Sequence, residues 1–166
     1  MKQLPSSGSQ PGSIPETDIL LRPREPDAAA EMRTKLRQVG LRPTRERLAL
    51  GALLFSKGNR HVSAEMLFEE ANQAKVDVSL ATIYNTLNQF TQAGLLRQVA
   101  IDGSKSYFDT NNTEHNHFYI EDRGELIDIS PADVVVGKAP TPPDGYEIVR
   151  IDVVVRLQRK SADSRA

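Results

Sequence analysis

The chain has 166 residues, 39% apolar and 26% charged, with no cysteine and a formal net charge of −1. That length makes one domain or two small ones, and the lack of thiols excludes disulfides, thiolate metal sites and thiol redox chemistry. No apolar run is long enough to span a bilayer, and the N-terminus lacks the basic start and apolar stretch of a signal peptide. The sequence therefore reads as a cytoplasmic protein with no membrane segment.

In chain order, residues 1–27 hold five prolines among Ser, Gly and Gln and read as a disordered tail. Asp27 is positioned to cap a helix running to about Val39 and stopped by Gly40. Pro43 suits the first turn of a second helix, "PTRERLALGALLFS", whose Leu48, Leu50, Leu53, Leu54 and Phe55 can face a core. Ser63 can cap a third helix, "AEMLFEEANQA", and Ser79 a fourth, "LATIYNTLNQFTQA", which ends before Gly94. In the fourth, Leu80, Ile83, Leu87 and Phe90 fall on one face and Ala81, Asn85, Asn88 and Gln89 on the other.

Beyond Gly94 the period changes. "LLRQVAI", Asp102-Gly103 and "KSYFD" predict a β-hairpin, so short helices followed by a hairpin give a winged helix-turn-helix over residues 28–110. The fourth helix is then the recognition helix, with an uncharged outer face suited to base edges. "NHFYIEDRGELIDI" predicts a second hairpin turning at Arg123-Gly124. A Pro-rich connection follows (139–145), then a long alternating strand, "YEIVRIDVVVRLQR". Residues 111–160 form a second, α/β dimerisation domain on this reading, and 161–166 a short tail; the fold class is α+β.

Charge divides along the same line. Residues 31–60 carry eight Lys or Arg against Glu31 and Glu46, whereas residues 100–152 carry eleven acids against four bases. A basic half can meet a polyanion, although a solvated helix face gives the same pattern. Within the acidic half, "EHNH" places His115 and His117 one residue apart, on one face of a strand. From spacing alone they are either a pair able to grip one metal ion or two surface histidines near a turn.

Taken together, "GLRPTRERLAL", "HVSAEMLFEEA", "VSLATIYNTLNQFTQAGLL", "GSKSYFDT" and "HNHFYIEDRGELIDI" resemble successive motifs of the ferric uptake regulator family over about residues 28–158. "LLRQVAIDGSKSYFDT" and "RIDVVVRLQRK" are most similar to its iron response regulator branch. The resemblance implies a homodimeric, DNA-binding transcriptional regulator, often a repressor, and not an enzyme. It implies a hinge metal site made by His61, Asp109, His115, His117 and Asp128, a nitrogen/oxygen set suited to Mn²⁺, Fe²⁺ or Zn²⁺. For the branch it further implies haem as a signal ligand, with His115, His117 and His61 as candidate iron ligands.

Three departures qualify that carry-over. Ile120 and Arg123 stand where most members have cysteines, so a four-cysteine structural zinc is excluded, as in the branch itself. The N-terminal Cys-Pro haem motif that some members of the branch carry is missing, and Asn116 stands where the branch usually has a third histidine. On the DNA side the resemblance implies that Tyr84 packs on thymine methyls and that Arg42 enters an A·T-rich minor groove. Asn85 replaces a common Arg and can bridge an adenine. Arg45 and Lys105 are candidate phosphate contacts. The implied partner is double-stranded DNA with two half-sites. A peroxide-sensing Fe(II) repressor of the same family is the alternative. A metal-dependent hydrolase using the same five residues is the reading from another class; it lacks a recognisable base and leaves the winged helix unexplained.

Overall fold

The computed structural model describes residues 27–160 apart from Ser104. Most of the predicted N-terminal tail and all of the short C-terminal one lie outside the described residues. Four helices come first: α1 (Ala28–Gln38), α2 (Arg45–Phe55), α3 (Ala64–Gln73) and α4 (Leu80–Gln92). Each begins with a side-chain cap, from Asp27, Thr44, Ser63 and Ser79, satisfying an N–H that the helix itself cannot. For α2 the cap corrects the sequence reading. Thr44 Oγ1 accepts from the Arg47 amide at 3.3 Å, so Pro43 lies before the cap and outside the first turn.

Helix α4 ends in a Schellman motif. The Leu95 amide donates to the Phe90 carbonyl at 2.8 Å and the Gly94 amide to that of Thr91 at 3.0 Å, with Gly94 at φ +75°. That left-handed conformation is why the stop is a glycine. Gly51 has a different reason: a Cβ there would lie 2.6 Å from the sulfur of Met32, so its absence lets α1 and α2 approach closely.

The helical core is built from Leu36, Leu50, Leu54, Leu67, Ile83, Leu87 and Phe90, all fully buried. From α4 it takes Ile83, Thr86, Leu87 and Phe90. Leu80, expected on that face, is 36% exposed, because at the first helical position it projects past the end of the core. The outer face does carry Ala81, Asn85 and Asn88 exposed, together with Tyr84, whereas Gln89 is half-buried where Arg47 holds it.

Two three-stranded sheets follow. The wing hairpin, β2 (Arg97–Asp102) with β3 (Lys105–Asp109), gains a short strand that the sequence reading lacks: β1 (His61–Val62), between α2 and α3, pairs with the free edge of β3. In the second sheet β4 (Asn116–Ile120) lies between antiparallel β5 (Glu125–Ile129) and parallel β6 (Val154–Leu157). Its only helical element among the described residues is a 3₁₀ turn, Pro131–Asp133. The long strand predicted from Tyr146 is a correction too: only Val154–Leu157 is strand. A strand exists only where a neighbour completes its hydrogen bonds, and β4 has five residues to offer. Residues before Val154 run without regular pairing, leaving Val149 88% exposed.

A second apolar cluster bridges the sheets, with Val99, Ile101 and Tyr107 of the wing packed on Tyr119 and Leu126. Polar ties reinforce it. The Tyr107 hydroxyl donates to the Gly124 carbonyl, an Arg156 guanidinium N–H to the Ile101 carbonyl, and Lys105 Nζ to the Tyr119 hydroxyl at 3.0 Å. Among the described residues no helix is long and apolar enough to cross a membrane. Leu87→Ala should lower the free energy of urea unfolding by about 2–5 kcal/mol. Leu80→Ala should change it by less than about 0.5 kcal/mol; equal losses would put Leu80 in the core.

Candidate metal centre and nucleic-acid interface

The β-registers bring five side chains to one point. Asp109 ends the central wing strand, with His61 opposite it on one side and Arg97 on the other. In the second sheet His117 lies directly opposite Asp128, and His115 precedes β4. One ligand atom from each of His61, Asp109, His115, His117 and Asp128 lies within 4.8 Å of all the others. Asp109 and His117 are buried essentially completely, and Asp128 forms the open side.

All three imidazoles turn Nε2 inward. His115 Nε2 is 2.8 Å and His117 Nε2 3.3 Å from Asp109 Oδ2, and the two nitrogens are 3.0 Å apart. His115 Nδ1 lies 2.8 Å from the Thr113 carbonyl, which can only accept, so Nδ1 holds the proton and Nε2 presents a lone pair inward. His61 Nε2 sits 2.9 Å from Asp128 Oδ1, yet the direction is wrong for a hydrogen bond, and this nitrogen is buried without a partner. Burial on its own would raise the pKa of Asp109. The contacts with His117 and His61 and the hydrogen bond from the Asn111 amide outweigh it and hold the carboxyl well below the usual carboxylate range.

These observations fit a bound cation. The Nε2 of His61 is buried without a partner, and three imidazole nitrogens converge on two carboxylates, a donor set that a cation between them would satisfy. Three imidazoles with two carboxylates match a first-row divalent metal better than Ca²⁺ or Mg²⁺. As the cluster stands, none of the three histidines offers an open face to a porphyrin: His115 and His117 are buried and His61 Nε2 is covered.

The candidate DNA residues occupy two places. Arg42, Arg45, Tyr84 and Asn85 are exposed on the helical part. Arg45 is the first residue of α2, and Tyr84 and Asn85 lie on the outer face of α4. Lys105 is engaged elsewhere: its ammonium bonds Tyr119 and lies 5.7 Å from the Tyr107 ring centre. The structure thus gives it one partner in its own hairpin and one in the second sheet.

Three residues escaped the sequence reading. Asn111 Nδ2 donates to Asp128 Oδ2 at 3.2 Å while its amide donates to Asp109 Oδ1 at 2.7 Å, so it orients both carboxylates. The signal was present, because an Asp two residues before Asn in a polar run favours an Asx turn. Arg97 is buried and paired with Asp152, and it donates to the Thr113 carbonyl at 3.3 Å. Its parity with Val99 and Ile101 points it inward. Arg47 grips Gln89 Oε1 of α4 through two nitrogens at 2.9 and 3.1 Å, bracing the outer helix against α2.

A four-helix head closed by a three-stranded wing, with an exposed polar helix, defines a winged-helix protein, here joined to a second sheet through a His/Asp cluster. The profile of the ferric uptake regulator family matches residues 38–156, and the chain belongs to that family. It is 32% identical over 129 residues to the ferric uptake regulation protein of Pseudomonas aeruginosa, covering 76% of this chain and 96% of that one. To the ferric uptake regulation protein of Escherichia coli it is 37% identical over 98 residues, 58% of this chain and 66% of that protein. Among solved structures it resembles the ferric uptake regulator from Pseudomonas aeruginosa with manganese, at a TM-score of 0.60 and 30% identity, covering 78% of this chain and 98% of that one. Replacing His115 and His117 together by Ala should abolish uptake of one equivalent of Mn²⁺ or Zn²⁺ in titration calorimetry; full retention would locate the ion elsewhere.

Proposed function

We propose that the chain is a metal-responsive, DNA-binding transcriptional regulator that acts in the cytoplasm, and not an enzyme. Its reading head would be residues 28–110 and its sensing and dimerisation part residues 111–160. One observation carries the proposal. The five-residue cluster draws His61 from beside the helical head, Asp109 from the wing and His115, His117 and Asp128 from the second sheet. A site so placed is poised to set the angle between the two parts.

Those five residues would hold Mn²⁺, Fe²⁺ or Zn²⁺. A divalent cation held there supplies positive charge to two carboxylates and an acceptor for three imidazole lone pairs. The relative solved with manganese supports this choice of ion class. The protein's own part is positioning: Thr113 fixes the His115 tautomer, Asn111 orients Asp109 and Asp128, and Arg97 anchors the wing against residue 152. With the cluster closed, α4 is held at one angle to the second sheet, and DNA affinity follows the population of that angle.

On the DNA side, α4 would enter the major groove with Tyr84 and Asn85 toward base edges. Arg42 would reach an A·T-rich minor groove and Arg45 would contact phosphate. Dimerisation would involve the second sheet. Val135, Tyr146, Ile148, Val149 and Ile151 are exposed, a set of apolar side chains that a second copy can cover. Two heads would then meet half-sites about one DNA turn apart.

Within the family, we place the chain in the iron response regulator branch. Support comes from the "LLRQVAIDGSKSYFDT" and "RIDVVVRLQRK" segments and from Ile120 and Arg123 standing where most of the family has the cysteines of a structural zinc site. Haem is then the finer signal. Its access to His115 or His117 would require the cluster to open, so that haem and the closed geometry compete.

Three measurements test these readings. Arg45→Ala should weaken binding to all sequences alike and reduce the salt slope by about one, whereas Arg42→Ala should selectively reduce preference for A·T-rich flanks; unchanged footprints and slopes in both would remove the assignment. Light scattering at micromolar concentration should give a dimer, and a monomer with and without metal would count against the proposed interface. Haemin should produce a Soret band and release DNA in the wild type but not in the His115→Ala, His117→Ala variant. The same release in both would place haem sensing elsewhere.

A further inference from the structure

Glu65 is an acid on the same side of the head as the outer helix, where a DNA-binding surface gains nothing from negative charge. It lies in the first turn of α3, and the Tyr84 hydroxyl donates to its Oε1 at 2.6 Å, across 19 residues of chain. The contact stabilises the carboxylate, whose pKa falls chiefly through the Tyr84 hydrogen bond; that of the Tyr84 hydroxyl rises chiefly for the same reason. Neither side chain is driven together by burial. Tyr84 remains 41% exposed and Glu65 is open to solvent.

A phenol can contact DNA in two ways. Its hydroxyl can donate to a base acceptor or a phosphate, or its ring can pack on the methyl group of thymine. With the hydroxyl proton donated to Glu65, the first route has to compete with this bond and the ring is oriented from its far end. The adjacent Asn85 and nearby Asn88 are exposed and keep their amides free for directional contacts among the described residues. We infer that Glu65 is a positioning residue for DNA recognition: it ties down the Tyr84 hydroxyl so that Tyr84 reads DNA through its ring, and Tyr84 in turn shields the Glu65 carboxylate. This rests on the proposed DNA-binding function.

The shielding has a cost that can be measured. Removing the hydroxyl takes away the largest of the contacts that stabilise the Glu65 carboxylate, leaving it under-satisfied as DNA approaches, which is unfavourable for a charged group in a closing interface. Replacing Glu65 by Gln keeps an acceptor and removes the charge, so the loss of the hydroxyl then matters little.

The experiment uses the full chain and a duplex that the wild type selects from a randomised library. Tyr84→Phe should weaken binding about tenfold when Glu65 is present, as expected for one unsatisfied polar group. In the Glu65→Gln background the same change should cost less than about twofold, since no charge is left under-satisfied when the interface closes. Replacing thymines one at a time by deoxyuracil should lower wild-type affinity about fourfold at one position, the worth of a single methyl group. That discrimination should survive in Glu65→Gln and fade in Glu65→Ala. If Tyr84→Phe costs the same in both backgrounds, whether a large loss or none, the inference is overturned. So it is if Glu65→Ala leaves the methyl discrimination intact. A wild-type protein that selects no duplex, with Tyr84→Ala equally inert, would instead bring down the DNA-binding reading itself.

Discussion

The buried carboxylate of Asp109 is the constraint on which the architecture depends. A fully buried charge is unfavourable unless several donors or cations surround it. Its neighbours here are drawn from separate parts of the chain: His61 from β1, His115 and His117 from the start of the second sheet, and the amide of Asn111 from the connecting turn. The short pairing of β1 with β3 follows from this arrangement, because it is the register His61↔Asp109 that brings the first imidazole to the carboxylate. A site so composed belongs to neither the head nor the second sheet.

A second linkage runs beside the first. Arg97 flanks Asp109 on the other side of β3 and carries a buried guanidinium to Asp152, just before β6. Burial would raise the pKa of Asp152, and the hydrogen bonds from Arg97 and Arg150 reverse that and lower it. Together with the cluster of Val99, Ile101, Tyr107, Tyr119 and Leu126, this ion pair makes the wing a shared wall. One half packs on the helices through Phe108 and the other on the second sheet. Opening the His/Asp cluster would therefore leave a metal-independent contact in place between the two parts.

The helical head depends on shape rather than charge. Its core is apolar and closed by four side-chain caps, and the contact of α1 with α2 relies on the bare backbone of Gly51. A head of this kind can carry an uncharged outer helix because the exposed side chains of that face lie outside the apolar core. Arg47 holding Gln89 shows how such a helix is fixed without being buried.

Much of this was legible in the sequence. The caps at Asp27, Ser63 and Ser79, the stop at Gly94, the wing turn at Asp102-Gly103 and the second turn at Arg123-Gly124 are local, and local chemistry decides them. The H-x-H pair was visible as a pair, but its spacing alone left both metal ligands and surface histidines open; the remaining ligand positions came from the family resemblance. What tertiary structure decided is where strands stop and which charges are buried. The alternation from Tyr146 onward promised a long strand, yet backbone pairing with the five-residue β4 limits it to Val154–Leu157. Lys105 stood in the sequence as a candidate phosphate contact, and the packing of the wing on the second sheet adds a bond to the Tyr119 hydroxyl. Strand length and ion pairing depend on a neighbour far away in the chain, so only the folded arrangement can specify them, whereas a cap or a turn carries its partner within a few residues.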